Sequence, residues 1–271
     1  MTGRRAQIAV PLLLAVLTLA GFGGIGSAQA EPSDPAGRLQ AALEDLVAHP
    51  NGPPGALVLV QRGSAREIFR AGEANTETGA PMEPDKHMRI ASTAKAYSGG
   101  VALSLVQQGV LSLRDTIGER LPWAPPDWRR VTLRQVLHHT SGMPDFTENL
   151  RFQRNAGNHL DDPLRPRRLL SFVAHQDLAF EPGSRYKYSN SDNVVVGLMV
   201  EDATGRRYER VLAEQVLDPL GLDNTSLPRG VQMPRPLIHG YQRENDGTLV
   251  DVSELIAAGW AWASGGIVST P

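Results

Sequence analysis

No cysteine occurs in the 271 residues. That absence excludes disulfide staples, thiol catalysis and thiolate metal sites, although a chain of this length can bury enough apolar surface to do without cross-links. Lysine is nearly missing as well: Lys86, Lys95 and Lys187 stand alone among 27 basic side chains. No long block of like charge exists, and the totals almost balance at 27 basic against 29 acidic residues. An electrostatic footprint for nucleic acid is therefore excluded. The short cluster Arg165, Arg167 and Arg168 is broken by Pro166 and reads as a solvated loop.

What is present begins with a leader. Arg4 and Arg5 precede an apolar stretch from Ile8 to Ala20, and Ala28-Gln29-Ala30 is a small-residue cleavage pattern. Residues 1–30 are expected to be a signal peptide cut after Ala30, leaving a secreted chain with no membrane attachment. The competing reading is an uncleaved anchor, but a span needs about 20 apolar residues and the glycines between Gly21 and Gly26 interrupt this one. The arginine pair is also compatible with twin-arginine export.

Beyond the leader, capping chemistry at Ser33-Asp34-Pro35 opens a helix with Leu39, Leu43, Leu46 and Val47 on one face. Residues 56–61 and 67–71 read as a hairpin turning at Arg62-Gly63-Ser64. Helical spacing runs from Ser92 to Gln108, with Gly109 as the stop. Thr132 caps a short helix, residues 169–174 are helical, and Ser191 or Asp192 caps a strong helix over 193–203. Another helix reaches Leu217, and the remainder up to Pro271 reads as loop. A lone hairpin is marginal in water and needs more strands than this pattern supplies.

Two stretches can carry chemistry. In Ser92-Thr93-Ala94-Lys95 a serine opens a helix and a lysine follows one turn later on the same face, within reach of the hydroxyl. Serine needs such a proton acceptor to become nucleophilic, and the helix start suits a developing oxyanion. By chance the chain would hold about 0.2 serine-x-x-lysine matches, so alone the motif also fits a capping serine beside an exposed lysine. The second stretch, Tyr188-Ser189-Asn190, offers a phenol that can exchange a proton and an amide that both donates and accepts. It also fits a half-buried tyrosine beside a capping asparagine. The ordered pair of motifs is expected only about 0.03 times. His138 and His139 lack a nearby acidic pair and read as structural, not as metal ligands. Trp123 and Trp128 read as packing, while Trp260 and Trp262 are placed at the border of a cleft.

These stretches resemble the serine β-lactamase/D-alanyl-D-alanine carboxypeptidase superfamily, in its class C β-lactamase-like branch. The similarity is carried by Arg89-Ile90-Ala91-Ser92-Thr93-Ala94-Lys95, Leu137-His138-His139-Thr140-Ser141-Gly142-Met143-Pro144, Phe180-Glu181-Pro182-Gly183 with Tyr188-Ser189-Asn190, and Pro219-Leu220-Gly221-Leu222. It covers residues 53–270 and is similar in feel to secreted actinomycete D-alanyl-D-alanine carboxypeptidases. The resemblance implies an α/β (α+β) β-lactamase/transpeptidase-like fold, with an antiparallel sheet flanked by helices and a mainly helical lobe, over residues 31–271. It implies Ser92 as the acylated nucleophile, Lys95 as holder of the proton network and Tyr188 as proton shuttle poised as phenolate or base. Asn190 would hydrogen-bond the substrate amide, and no cofactor or metal is implied.

The resemblance also implies a third motif, histidine- or lysine-x-glycine on a strand, which has no convincing copy here. His239-Gly240-Tyr241 matches a different family segment, and residues 263–270 match the stretch upstream of the motif. The chain is accordingly expected to be C-terminally incomplete, with its last strands missing and its activity weak or absent. The implied partners are peptidoglycan stem peptides or β-lactams, and the implied reaction is D-alanyl-D-alanine carboxypeptidation. A β-lactamase or esterase on the same scaffold, or a non-turnover penicillin-binding module, stays open.

Overall fold

The computed structural model describes residues 34–158, 161–162 and 164–271. The expected signal peptide lies outside the described residues. Along the chain run α1 (Pro35–Ala48), β1 (Gly55–Arg62), β2 (Ala65–Asn75), β3 (Ala80–Pro81), β4 (Met88–Arg89) and α2 (Ala94–Gln107). Next come α3 (Ile117–Arg120), α4 (Leu133–Leu137), α5 (Leu150–Asn158), α6 (Pro166–Ser171), α7 (Asn190–Thr204) and α8 (Tyr208–Leu212). The strands β5 (Tyr241–Arg243), β6 (Leu249–Asp251) and β7 (Val268–Ser269) complete the set. Among the described residues no helix is long and apolar enough to cross a membrane.

The chain divides into two compact units. Among the described residues, one holds 34–87, 235–252 and 270–271, and the other lies within 88–234 and 253–269. In the first, β1 and β2 form an antiparallel hairpin in continuous register from Gly55↔Gly72 to Arg62↔Ala65, with β3 on the far edge of β2. The turn closes at Gly63, whose φ of +60° favours glycine. The helix α1 packs on the hairpin. Gly72 permits this approach, because a Cβ there would meet Val47 Cγ1 at 2.8 Å and Pro54 O at 2.1 Å. Of the four apolar residues expected on one face of α1, Leu43 is buried, but Leu46 is 48% exposed. Asp34 accepts from the helix start at Gly37 N. The 241–251 stretch, expected as loop, forms the small β5–β6 hairpin.

The second unit is mainly helical and centres on α7. Its Val194-Val195-Val196 run has poor intrinsic helix propensity, so the helix is sustained by packing against α2, α3, α4, α6 and α8. Around it lie Val101 and Leu105 of α2, Leu133 and Val136 of α4, and Leu169 and Leu170 of α6, all buried. It ends where Gly205 takes φ +65° and donates to Glu201 O. The helix α8 continues as a π-helical turn, Ala213–Leu217. Trp260 and Trp262 are core residues at 5% and 4% exposure, correcting their expected place at a cleft border. Trp262 packs on Tyr208, and Gly197 is bare because a Cβ there would sit 2.6 Å from the Trp262 ring.

Candidate active site

Ser92, Lys95, Tyr188 and Asn190 all belong to the helical unit. The nucleophile candidate sits in a 3₁₀ turn, Ala91–Thr93, that feeds α2. The short ladder β4–β7 and the bond from Ile90 N to Ile267 O bring the chain to this turn. Ala91 then takes φ +46°, a conformation that L side chains rarely adopt. Arg89 holds the approach by donating to the carbonyls of Ser253, Val231 and Ile256 at 3.1–3.4 Å and 2.6 Å respectively. Burial pushes its guanidinium below the ordinary value, against the pull of Glu254.

Two loops deliver the other side of the site. The helix α4 begins with a reciprocal capping box between Thr132 and Gln135 and runs into His139 at φ +54° and Gly142 at φ +76°. A Cβ at Gly142 would lie 2.5 Å from Phe180 O. The two loops are zipped by backbone bonds from Ala179 N to Gly142 O, Gly183 N to Thr140 O and Lys187 N to His139 O, at 2.8, 2.7 and 2.9 Å. Tyr188 is thereby set against His139, ring centroids 4.8 Å apart.

The geometry is compact. Ser92 Oγ lies 2.8 Å from the Tyr188 hydroxyl and 3.1 Å from Lys95 Nζ. Lys95 Nζ also donates to Asn190 Oδ1 at 2.8 Å and to Ser264 O at 2.7 Å. An ammonium has three hydrogens, and all three are engaged. When Lys95 is the free amine, the two carbonyl oxygens can only accept, so its lone pair falls to Ser92, the one of these three partners with a hydroxyl hydrogen. Burial lowers the Lys95 pKa to about 8, with Asp145 and Asp192 opposing that shift. Burial raises the Tyr188 pKa, the bond from Ser92 partly countering it. The expected phenolate is thus disfavoured: partial burial favours the neutral phenol, and the amine is the group whose proton is loosened.

The residues missed in the sequence are the supports. The sequence offers Asp192 as a helix cap; instead α7 begins at Asn190, and Asp192 is fully buried in its first turn. Its carboxylate meets His139 Nδ1 at 2.8 Å and accepts from Ser141 Oγ at 2.6 Å. Burial raises its pKa to about 6 despite those two bonds. Asp145 accepts from both the backbone N–H and the side-chain amide of Asn190, at 3.1 and 2.9 Å. The acid beside His139 sits 53 residues away in sequence, which is why no local pattern revealed it. His138 is exposed. Among the described residues no group of three His, Asp or Glu side chains is arranged to hold a metal ion.

A family model described as Beta-lactamase matches residues 41–271. The chain belongs to the beta-lactamase family. It is similar to a D-stereospecific amidohydrolase from Streptomyces sp., at 31% identity and a TM-score of 0.76 over 85% of this chain and 68% of that one. It is also similar to D-amino acid amidase from Ochrobactrum anthropi SV3, at 28% identity and a TM-score of 0.74, covering 86% of this chain and 65% of that one. Among curated proteins it is similar to Protein flp of Staphylococcus aureus strain MRSA252, 25% identical over 206 residues and 74% of this chain. The chain spans 40% of the length of that relative. The family, a serine hydrolase family, and the mixed α/β fold agree with what the motifs implied.

Proposed function

We propose that this chain is an active-site-serine acyl-transfer hydrolase acting on D-configured peptides or amides, with the D-alanyl-D-alanine end of peptidoglycan stem peptides as substrate. The carrying observation is Ser92 Oγ within hydrogen-bond reach of both Lys95 Nζ and Tyr188 OH. Ser92 Oγ attacks the scissile carbonyl while its proton passes to the Lys95 amine. The positive end of α2 favours the developing oxyanion. The departing amine takes the hydroxyl proton of Tyr188, and the proton held by Lys95, which lies against the Tyr188 ring, then returns to the phenolate. Water then attacks the Ser92 ester by the same route and releases the acid. Export behind residues 1–30 would bring the chain to the cell wall, where such peptides occur.

A second reading, hydrolysis of D-amino acid amides, is favoured by the 31% identity to the Streptomyces amidohydrolase. The test is incubation with a fluorescent penicillin, a D-alanyl-D-alanine peptide and D-phenylalanine amide, with Ser92→Ala as control. A covalent label that depends on Ser92 and then decays, with D-alanine released, is the expected result. Release of ammonia from the amide without D-alanine from the peptide moves the assignment to the second reading. A stable label without turnover identifies a binding module, and equal labelling of folded Ser92→Ala removes the assignment altogether.

A further inference from the structure

Asn190, like Lys95, has its side-chain polar atoms bonded within the protein. Its amide nitrogen donates to Asp145 Oδ2 at 2.9 Å and to Thr147 Oγ1 at 3.3 Å. Its amide oxygen accepts from Lys95 Nζ at 2.8 Å and from the Tyr188 hydroxyl at 3.4 Å. Both amide hydrogens are therefore in use.

The orientation of the amide follows from charge. A carboxylate only accepts, and an ammonium only donates. Turning the amide over would set its NH2 against Lys95 and its oxygen against Asp145, making both contacts repulsive. Asp145 is itself fixed, at 5% exposure, with Oδ1 accepting from the Thr147 backbone N–H and hydroxyl, both at 2.9 Å. The Asp145-Phe146-Thr147 turn thus builds the carboxylate into the backbone.

We propose that Asp145 is a positioning residue of this site: its carboxylate clamps the Asn190 amide so that the amide oxygen faces the reaction centre and holds Lys95 Nζ on Ser92. Asn190 then serves the lysine through its amide oxygen. The kinetic consequence rests on the acyl-transfer reading above, whereas the clamp itself belongs to the unacylated protein. Facing Lys95 are Asp145, Asp192 with its partner His139, and Tyr188. Asp145 and Asp192 both favour the ammonium, against the larger effect of burial. Removing the Asp145 charge therefore makes Lys95 a weaker base.

The scarcity of lysine makes this measurable, since ε-¹³C-lysine labelling gives signals from Lys86, Lys95 and Lys187 alone. Lys95 is assigned in a Lys86→Arg/Lys187→Arg background and titrated with and without Asp145→Asn. Asparagine keeps an oxygen for Thr147 but brings an NH2 toward that of Asn190. The Lys95 midpoint is expected to fall by about one pH unit. An unmoved midpoint overturns the clamp whether or not the wild type turns anything over. In the wild type, the bonded Asn190 NH2 hydrogens should exchange about tenfold more slowly than those of exposed Asn51. Equal exchange overturns the clamp even where Asp145→Asn does not fold. Kinetically, above pH 8, where the amine is free in both proteins, Asp145→Asn should slow acylation by the same factor with p-nitrophenyl acetate, which has no amide, as with a D-alanyl-D-alanine peptide. A loss confined to the peptide overturns the proposal and returns Asn190 to the substrate. A shifted midpoint without Ser92-dependent acylation sinks the hydrolase reading and leaves the clamp standing.

Discussion

The helix α7 and the strand β1 carry similar apolar runs, Val194-Val195-Val196 in one and Val58-Leu59-Val60 in the other, yet their surroundings differ. In α7 every residue from Ser191 to Gly197 is buried, whereas no residue of β1 is fully buried. Valine favours strands, so β1 agrees with its local preference and owes less to packing. The helix runs against that preference and exists because its surroundings demand it. Dense packing of this kind can also hold strained backbone. All three non-glycine residues with positive φ among those described, Ala91, His139 and Trp262, lie in the helical unit. Each adjoins the site: Ala91 precedes Ser92, the His139 ring lies tilted against Tyr188, and Trp262 leads to the Ser264 carbonyl that receives Lys95.

The largest effect should come from the centre of that packed region. Lys95→Arg keeps a cation but cannot release its proton, so acylation should fall by about 10³-fold with folding retained. The wild-type rate carries a pH signature of the same group. With its pKa lowered to about 8, the amine becomes populated as pH rises through 8. The acylation rate should climb tenfold per pH unit below that point and level off above it. A profile flat from pH 6 to 9 would show that Lys95 is not the base. Next in size is Asp192→Ala, which strands the ring nitrogen of His139 and the hydroxyl of Ser141 in the interior. A loss of about 3–5 kcal/mol in urea unfolding is expected.

The same contrast decides what could be read from the sequence. The hairpin, α2, α4 and α7 were legible because periodicity, capping residues and turn glycines are local signals. Ser92 and Lys95 were legible for the same reason, being one helical turn apart. The strands β3, β4 and β7 have two residues each, too few for any period, and exist only through their pairing partners. Asp145 and Asp192 had no signal of function, because their meaning comes from partners some fifty residues away. A backbone carbonyl such as that of Ser264 has no sequence signal at all. An acid near a helix start ordinarily is a cap, and only burial beside His139 turns Asp192 inward.

A matched pair of substitutions breaks the comparison directly. Gly197→Val drives a side chain into the Trp262 ring and should cost about 3 kcal/mol. Val58→Ala removes two methyl groups from a half-buried strand position opposite Phe69 and should cost about 1 kcal/mol. Equal costs in urea unfolding would mean that β1 is covered as thoroughly as α7.

The smallest effect sharpens the comparison from inside the helical unit. Glu181 belongs to the Phe180-Glu181-Pro182-Gly183 segment that carries the family likeness, yet its side chain is 67% exposed. It accepts from Arg130 Nη2 at 2.7 Å, and Arg130 is 64% exposed. An ion pair in water is screened and loses side-chain entropy, so Glu181→Gln should change stability by no more than about 0.5 kcal/mol. Gly183, two residues on, should behave differently. It holds φ +89° and donates to Thr140 O in the zip that presents Tyr188, so Gly183→Ala should slow acylation while Glu181→Gln does not. Should Glu181→Gln prove as costly as Gly183→Ala, membership of the motif would matter more than burial, and the contrast between α7 and β1 would lose its explanation.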